Sequence, residues 1–109
     1  MFPCIEIRPD GILHNLKIMK QRCSEHGMSL SVVTKMLVGY EPLVRYLVEE
    51  GKIKAICDSR VENFMEFVDI KAEKWLIRSP MLSQVSDVVK FTDVSLNSEL
   101  DVLRALNDE

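Results

Sequence analysis

The residues best suited to chemistry in this chain each close a short apolar run. Lys35 ends Ser31-Val32-Val33-Thr34-Lys35, and Asp58-Ser59-Arg60 follow Ile53 to Cys57. Arg78-Ser79 follow a run beginning at Lys74, and Asn97-Ser98 follow Val94 to Leu96. A strand leaving a core ends polar in any protein, and that accounts for any one of these positions. An amine, a guanidinium and a carboxamide on one rim are more than solubility requires. Lys35 is the most informative. Alternation along a strand puts Val33 and Lys35 on one face and Val32 and Thr34 on the other. An amine held in an apolar setting has its charged form disfavoured, which frees it to act as a nucleophile, a base or a Schiff-base former. The plainer reading is a lysine that snorkels from a strand end into water.

The elements that must place these residues alternate. A first short run, Pro3 to Ile7, predicts a strand. Pro9 and Asp10 open a helix with Ile12, Leu16, Met19 and Cys23 on one face and Gly27 as its stop. Leu30 to Thr34 predicts a strand. Pro42 starts a second helix, with Leu43, Val44, Leu47 and Val48 inward and Gly51 as the stop. Ile53 to Cys57 is the next strand, and Val61, Phe64, Met65 and Val68 form a helical stripe. Lys74 to Ile77 is a strand, Val85, Val88 and Val89 mark a short helix, and Val94 to Leu96 is the last strand. Asn97 and Ser98 are good caps for a final helix carrying Leu100, Leu103 and Leu106. The last four strands recur roughly every 20 residues, which predicts parallel strands joined by helical crossovers. Both an open doubly wound sheet and part of a (β/α)8 barrel fit that order, and both place chemistry at the C-terminal ends of the strands.

Composition narrows the function. The 109 residues hold 14 basic and 17 acidic side chains, a net charge of −3, and are 47% hydrophobic. That is an ordinary globular composition, and a mildly acidic one argues against a nucleic-acid partner. No apolar run approaches the length of a bilayer span, and the N-terminus lacks the pattern of a secretory signal. Cys4, Cys23 and Cys57 are odd in number and widely spaced, which fits reduced thiols in the cytoplasm better than disulfides or a metal site. His14 and His26 have no metal-like partners and read as surface or packing residues. Asp58 reads as a cap for the following helix or as a partner for Arg60, and Cys57 as a small buried residue.

Five segments, in order, carry a resemblance. Pro3-Cys4-Ile5-Glu6-Ile7 followed by His14-Asn15 resembles the opening of the alanine racemase N-terminal domain family, a strand ending "E-I-D" and a helix holding "H-N". Ser31-Val32-Val33-Thr34-Lys35 is similar to that family's first barrel strand, whose final lysine binds pyridoxal 5'-phosphate (PLP). Cys57-Asp58-Ser59-Arg60-Val61-Glu62-Asn63 resembles the "G-D-S-R-I-E-N" of the ornithine racemase-like branch, with Cys57 in place of Gly. Leu76 to Ser83 resembles that branch's "L-R-x-P-M-L-S", and Ser95-Leu96-Asn97-Ser98-Glu99 its "S-L-N-S-E". Alanine racemases proper have a tyrosine four residues after the lysine; Tyr40 stands one further along, and its role does not transfer.

The resemblance implies an α/β fold: residues 1–109 as the N-terminal portion of a PLP-binding TIM-type barrel, a leading strand plus the first four β/α units. It implies a PLP-dependent isomerase that racemises an amino acid, ornithine or another basic one, in a full-length homodimer. Lys35 would bind PLP and serve as a catalytic base, with Arg78, Asn97 and Ser98 as further cofactor contacts. The second base and the phosphate-binding loops would come from elsewhere. Three other readings compete. One is a non-catalytic PLP-binding protein of cofactor homeostasis, whose relatives read nearer "G-E-N" where this chain has Asp58-Ser59-Arg60. Another is an inactive fragment. The last is a phosphoacceptor signalling module built around Asp58, which would need an acidic pair where the chain offers Arg8-Pro9-Asp10 and a lysine where it offers Asn97-Ser98.

Overall fold

Four short strands form one parallel sheet in a computed structural model that describes residues 2–109. The strands are β1 (Val32–Val33), β2 (Ala55–Asp58), β3 (Glu73–Leu76) and β4 (Val94–Ser95). Between and around them run α1 (Pro9–Glu25), α2 (Glu41–Glu49), α3 (Val61–Met65), α4 (Val85–Phe91) and α5 (Leu100–Asp108). Two 3-10 turns, Lys35–Leu37 and Leu82–Gln84, follow β1 and β3.

The spatial order is β1-β2-β3-β4, the order in sequence, and every pairing is parallel. A doubly wound sheet reverses its strand order at a switch point; this sheet does not. Register puts Val32, Ile56 and Lys74 on one face together with Asp58 and Leu76. Val33, Cys57, Trp75 and Val94 share the other. Ile56 and Leu76 join one buried cluster with Leu16 of α1, Leu43, Val44, Leu47 and Val48 of α2, Val61 and Phe64 of α3, and Val88 of α4. Val33 is 46% exposed, and Trp75 and Val94 are half-buried. The sheet thus has a helix-covered face and a barer one, in a slab 46 × 43 × 23 Å. Among the described residues no helix is long and apolar enough to cross a membrane.

The second helix follows its pattern closely. Leu43, Val44, Leu47 and Val48 are all buried, while Arg45 reaches Glu41 and Glu49 one turn away on either side. Those two carboxylates push the Arg45 guanidinium pKa further up. Gly51 does not act as a left-handed stop; Lys52 takes the positive φ instead. A Cβ on Gly51 would collide with the Leu47 carbonyl oxygen and the Leu16 side chain. The glycine is needed because α1 crosses closely there, and Lys20 Nζ seals the crossing by donating to the carbonyls of Gly51 (2.9 Å) and Lys52 (3.0 Å).

Several expectations are corrected. Residues 3–7 form no strand; Phe2 and Ile5 are about 90% exposed, because no neighbouring strand offers them a ladder. Of the α1 stripe only Leu16 is buried, while Ile12 and Met19 are exposed. The third helix stops at Met65, so Val68 leaves the stripe and is exposed, and Phe67 swings in to pack edge-to-face on Phe64, ring centres 6.4 Å apart. Val89 is exposed as well. In α5 the inward residues are Val102 and Leu106, with Leu100 and Leu103 exposed. The cap of α5 is Glu99, not Asn97 or Ser98.

Candidate functional site

The C-terminal ends of the four strands make one rim, and the polar residues singled out above lie along it. Lys35 opens the 3-10 turn directly after β1, two residues past Val33; Thr34 between them has ψ near 1°, so the extended alternation ends before the lysine and does not set its side. It is solvent-exposed and makes no ion pair among the described residues, so the apolar enclosure expected for it is not provided by this sheet. The turn continues into Val38 at φ 49° and Gly39 at φ 76° before α2 begins. Tyr40 is exposed and borders a small apolar hollow with Ile7, Pro9, Pro42, Leu43 and Tyr46, away from the lysine.

Asp58 ends β2 and is fully buried. Its Oδ1 accepts from the Arg60 backbone N–H (3.1 Å) and from Asn63 Nδ2 (2.9 Å), and its Oδ2 accepts from Thr34 Oγ1 (3.0 Å). Asp58 does not cap α3, whose N-cap is Arg60 without a side-chain cap bond; its bond to Arg60 N–H closes the local turn before the helix. The Arg60 guanidinium instead pairs loosely with Glu62 at 3.7 Å. Cys57, between Val33 and Trp75 in the sheet register, is buried, and burial pushes its thiol pKa up, which favours the protonated, unreactive form.

Arg78 is exposed and makes no ion pair among the described residues. With Ser59, Arg60, Glu62, Ser79 and Gln84 it lines a cavity of about 390 Å³ between the loops after β2 and β3. The Ser79 hydroxyl is buried there without a hydrogen-bond partner. After β4, Asn97 Nδ2 donates to the Ser95 carbonyl (3.1 Å) and to Ser95 Oγ (2.9 Å), while its own Oδ1 is buried and unpaired. Ser98 is exposed, its hydroxyl 3.5 Å from Glu99.

The structure therefore brings Arg78 and Ser79 into one cavity with Arg60. Lys35 and Asn97 do not line it. They sit at opposite ends of the rim, three strand spacings or about 14 Å apart along the sheet. No group of three metal-ligating side chains occurs among the described residues. Sequence reasoning missed Thr34 and Asn63 as partners of Asp58, and Ser79 as an unpaired buried hydroxyl. The asparagine five residues after a strand-ending aspartate was a usable local signal; the threonine, 24 residues away, was not.

No family model matches the chain, and no solved structure matches it. Among curated proteins it is 37% identical over 107 residues to the ornithine racemase of Acetoanaerobium sticklandii. The alignment covers 98% of this chain but 30% of the relative, so the chain spans a little under a third of that protein's length. The likeness runs along nearly the whole chain.

Proposed function

We propose that this chain supplies the first part of the active-site barrel of a PLP-dependent amino-acid racemase, acting on ornithine or another basic amino acid. Lys35 is the lysine that carries the cofactor. The observation behind this reading is the identity to ornithine racemase over 107 residues. The fold agrees with it. A sequential parallel sheet with helices on one face is the unit a (β/α)8 barrel repeats, and Val33, Cys57, Trp75 and Val94 on the other face suit a barrel interior. Lys35 stands at the rim where such barrels keep their chemistry.

The residues present fit the cofactor. Among the described residues Lys35 offers an amine without an ion pair, Ser79 a buried hydroxyl and Asn97 a buried carbonyl oxygen, the last two without a hydrogen-bond partner. Arg78, Asn97 and Ser98 are the groups that would contact cofactor or substrate. The planar fork of Arg78 matches a carboxylate or a phenolate. When bound, PLP acts as an electron sink that makes the α-hydrogen of an amino acid acidic. Lys35 Nζ removes or returns that proton on one face of the substrate. Inversion needs a second acid–base group on the opposite face, which we assign to the remainder of the barrel protein or to a second subunit of a homodimer.

The test is solvent exchange. The full-length protein containing this chain, supplied with PLP and L-ornithine in deuterium oxide, is expected to place deuterium at Cα and to form D-ornithine. Lys35→Ala is expected to stop both. Decarboxylation or transamination without inversion would overturn the racemase reading while leaving PLP chemistry in place.

A further inference from the structure

The turn that carries Lys35 is gripped at both ends by one buried pair of side chains, Asp58 and Asn63. On its leading side Thr34 is fully buried. Its backbone N–H donates to the Cys57 carbonyl (2.8 Å), and its hydroxyl lies within reach of Asp58 Oδ2 (3.0 Å) and the Cys57 carbonyl oxygen (3.2 Å). On its trailing side Gly39 packs against Asn63; a Cβ there would come 3.3 Å from Asn63 Oδ1. Asn63 is itself buried and is tied through Nδ2 to Asp58 Oδ1. The backbone between the two grips is closed by Leu37 N–H to the Thr34 carbonyl (2.9 Å) and Tyr40 N–H to the Leu37 carbonyl (3.0 Å).

A carboxyl group taken fully out of water is costly unless its oxygens are matched by donors. Asp58 has three such donors, from the residue after β1, from its own loop and from α3. The contact to Thr34 crosses 24 residues, and the residue it fixes is the one directly before Lys35. Holding the backbone still leaves the lysine rotamers free, but it removes the backbone freedom of the turn and fixes the point from which the side chain reaches for a bound aldehyde.

We infer that Asp58 and Asn63 are positioning residues that act through Thr34 and Gly39 to hold the Lys35 turn at the rim. The inference rests on the reading of Lys35 as the cofactor lysine. Its experiment separates the two. In the full-length protein, amide hydrogen exchange at Leu37 and Tyr40 reports the turn without any ligand. Reductive capture reports the lysine: Nζ adds to the aldehyde carbon of PLP, water leaves, and borohydride delivers hydride to the carbon–nitrogen double bond.

Thr34→Val keeps the shape of the side chain and removes the hydroxyl. It is expected to speed exchange at Leu37 and Tyr40 by about tenfold and to slow capture at Lys35 by a similar factor, the loss of one net hydrogen bond. Thr34→Ser restores the donor and is expected to restore both. Gly39→Ala attacks the same grip from the other side, at a position outside the core, should Asp58→Asn fail to fold. Lys35→Met is expected to abolish capture and leave exchange unchanged. Wild-type exchange at Leu37 and Tyr40 in both Thr34→Val and Gly39→Ala would overturn the grip, whatever the fate of capture. Faster exchange with undiminished capture at Lys35 would overturn its positioning role. Capture at a different lysine in the wild type would overturn the cofactor reading alone, with the exchange arm still deciding the grip.

Discussion

The two halves of the rim differ in how completely the chain satisfies its own polar groups. At the β1–β2 end, Asp58 is fully buried and meets three donors, and Thr34 and Asn63 are bound to it. At the β3–β4 end, the Ser79 hydroxyl and the Asn97 carbonyl oxygen are buried with no partner. An unpaired buried polar atom weakens a fold, and a native chain carries few of them. One half of the rim is therefore a finished structural joint. The other keeps hydrogen-bonding capacity that the described residues do not use, open to water, a ligand or another segment.

This contrast predicts a graded response to truncation. Asp58→Ala leaves three donors facing a cavity and is expected to cost about 3 kcal/mol or more of unfolding free energy, read as a lower urea midpoint. Asn97→Ala removes the two Nδ2 bonds together with the unpaired oxygen and is expected to cost only about 1 kcal/mol on the same measurement. Ser79→Ala deletes a hydroxyl that bonds nothing and is expected to leave the midpoint within about 0.5 kcal/mol of wild type. A Ser79→Ala variant as damaged as Asp58→Ala would erase the distinction between the two halves.

Cys57 adds a pH signature to the finished half. Burial raises its folded pKa, so on unfolding the thiol becomes the stronger acid. Stability is then flat with pH below the ordinary thiol range, near 8.5, and falls as pH climbs through that range towards the folded value. A Cys57→Ala variant is expected to lose that alkaline fall, as read from urea midpoints between neutral and alkaline pH. An identical slope in both proteins would mean the thiol is not shielded.

Much of this was legible in the sequence where the signal is local. The α2 spacing named all four of its buried residues, and alternation separated buried Thr34 from exposed Val33, but it stops short of Lys35, which opens a 3-10 turn. Non-local facts were not legible. The apolar run at residues 3–7 has the composition of a strand, but a strand exists only where a neighbour pairs with it, and composition does not name the neighbour. The stripe through Val68 assumed that α3 would continue, whereas the chain turns at Met65 and Phe67 takes the buried position. Asp58 read as a helix cap, whereas it closes the turn at Arg60 and bonds Thr34, a contact that depends on the register of two strands. The order of strands in space, which separates a sequential sheet from a doubly wound one, is carried by no single segment.

The account turns on Lys35, and reductive trapping followed by peptide mapping tests it most directly. The full-length protein, incubated with PLP and reduced with borohydride, is expected to yield one pyridoxyl-modified peptide, containing Lys35, and Lys35→Met is expected to yield none. A modification that maps to another lysine, or that persists in Lys35→Met, would contradict the account.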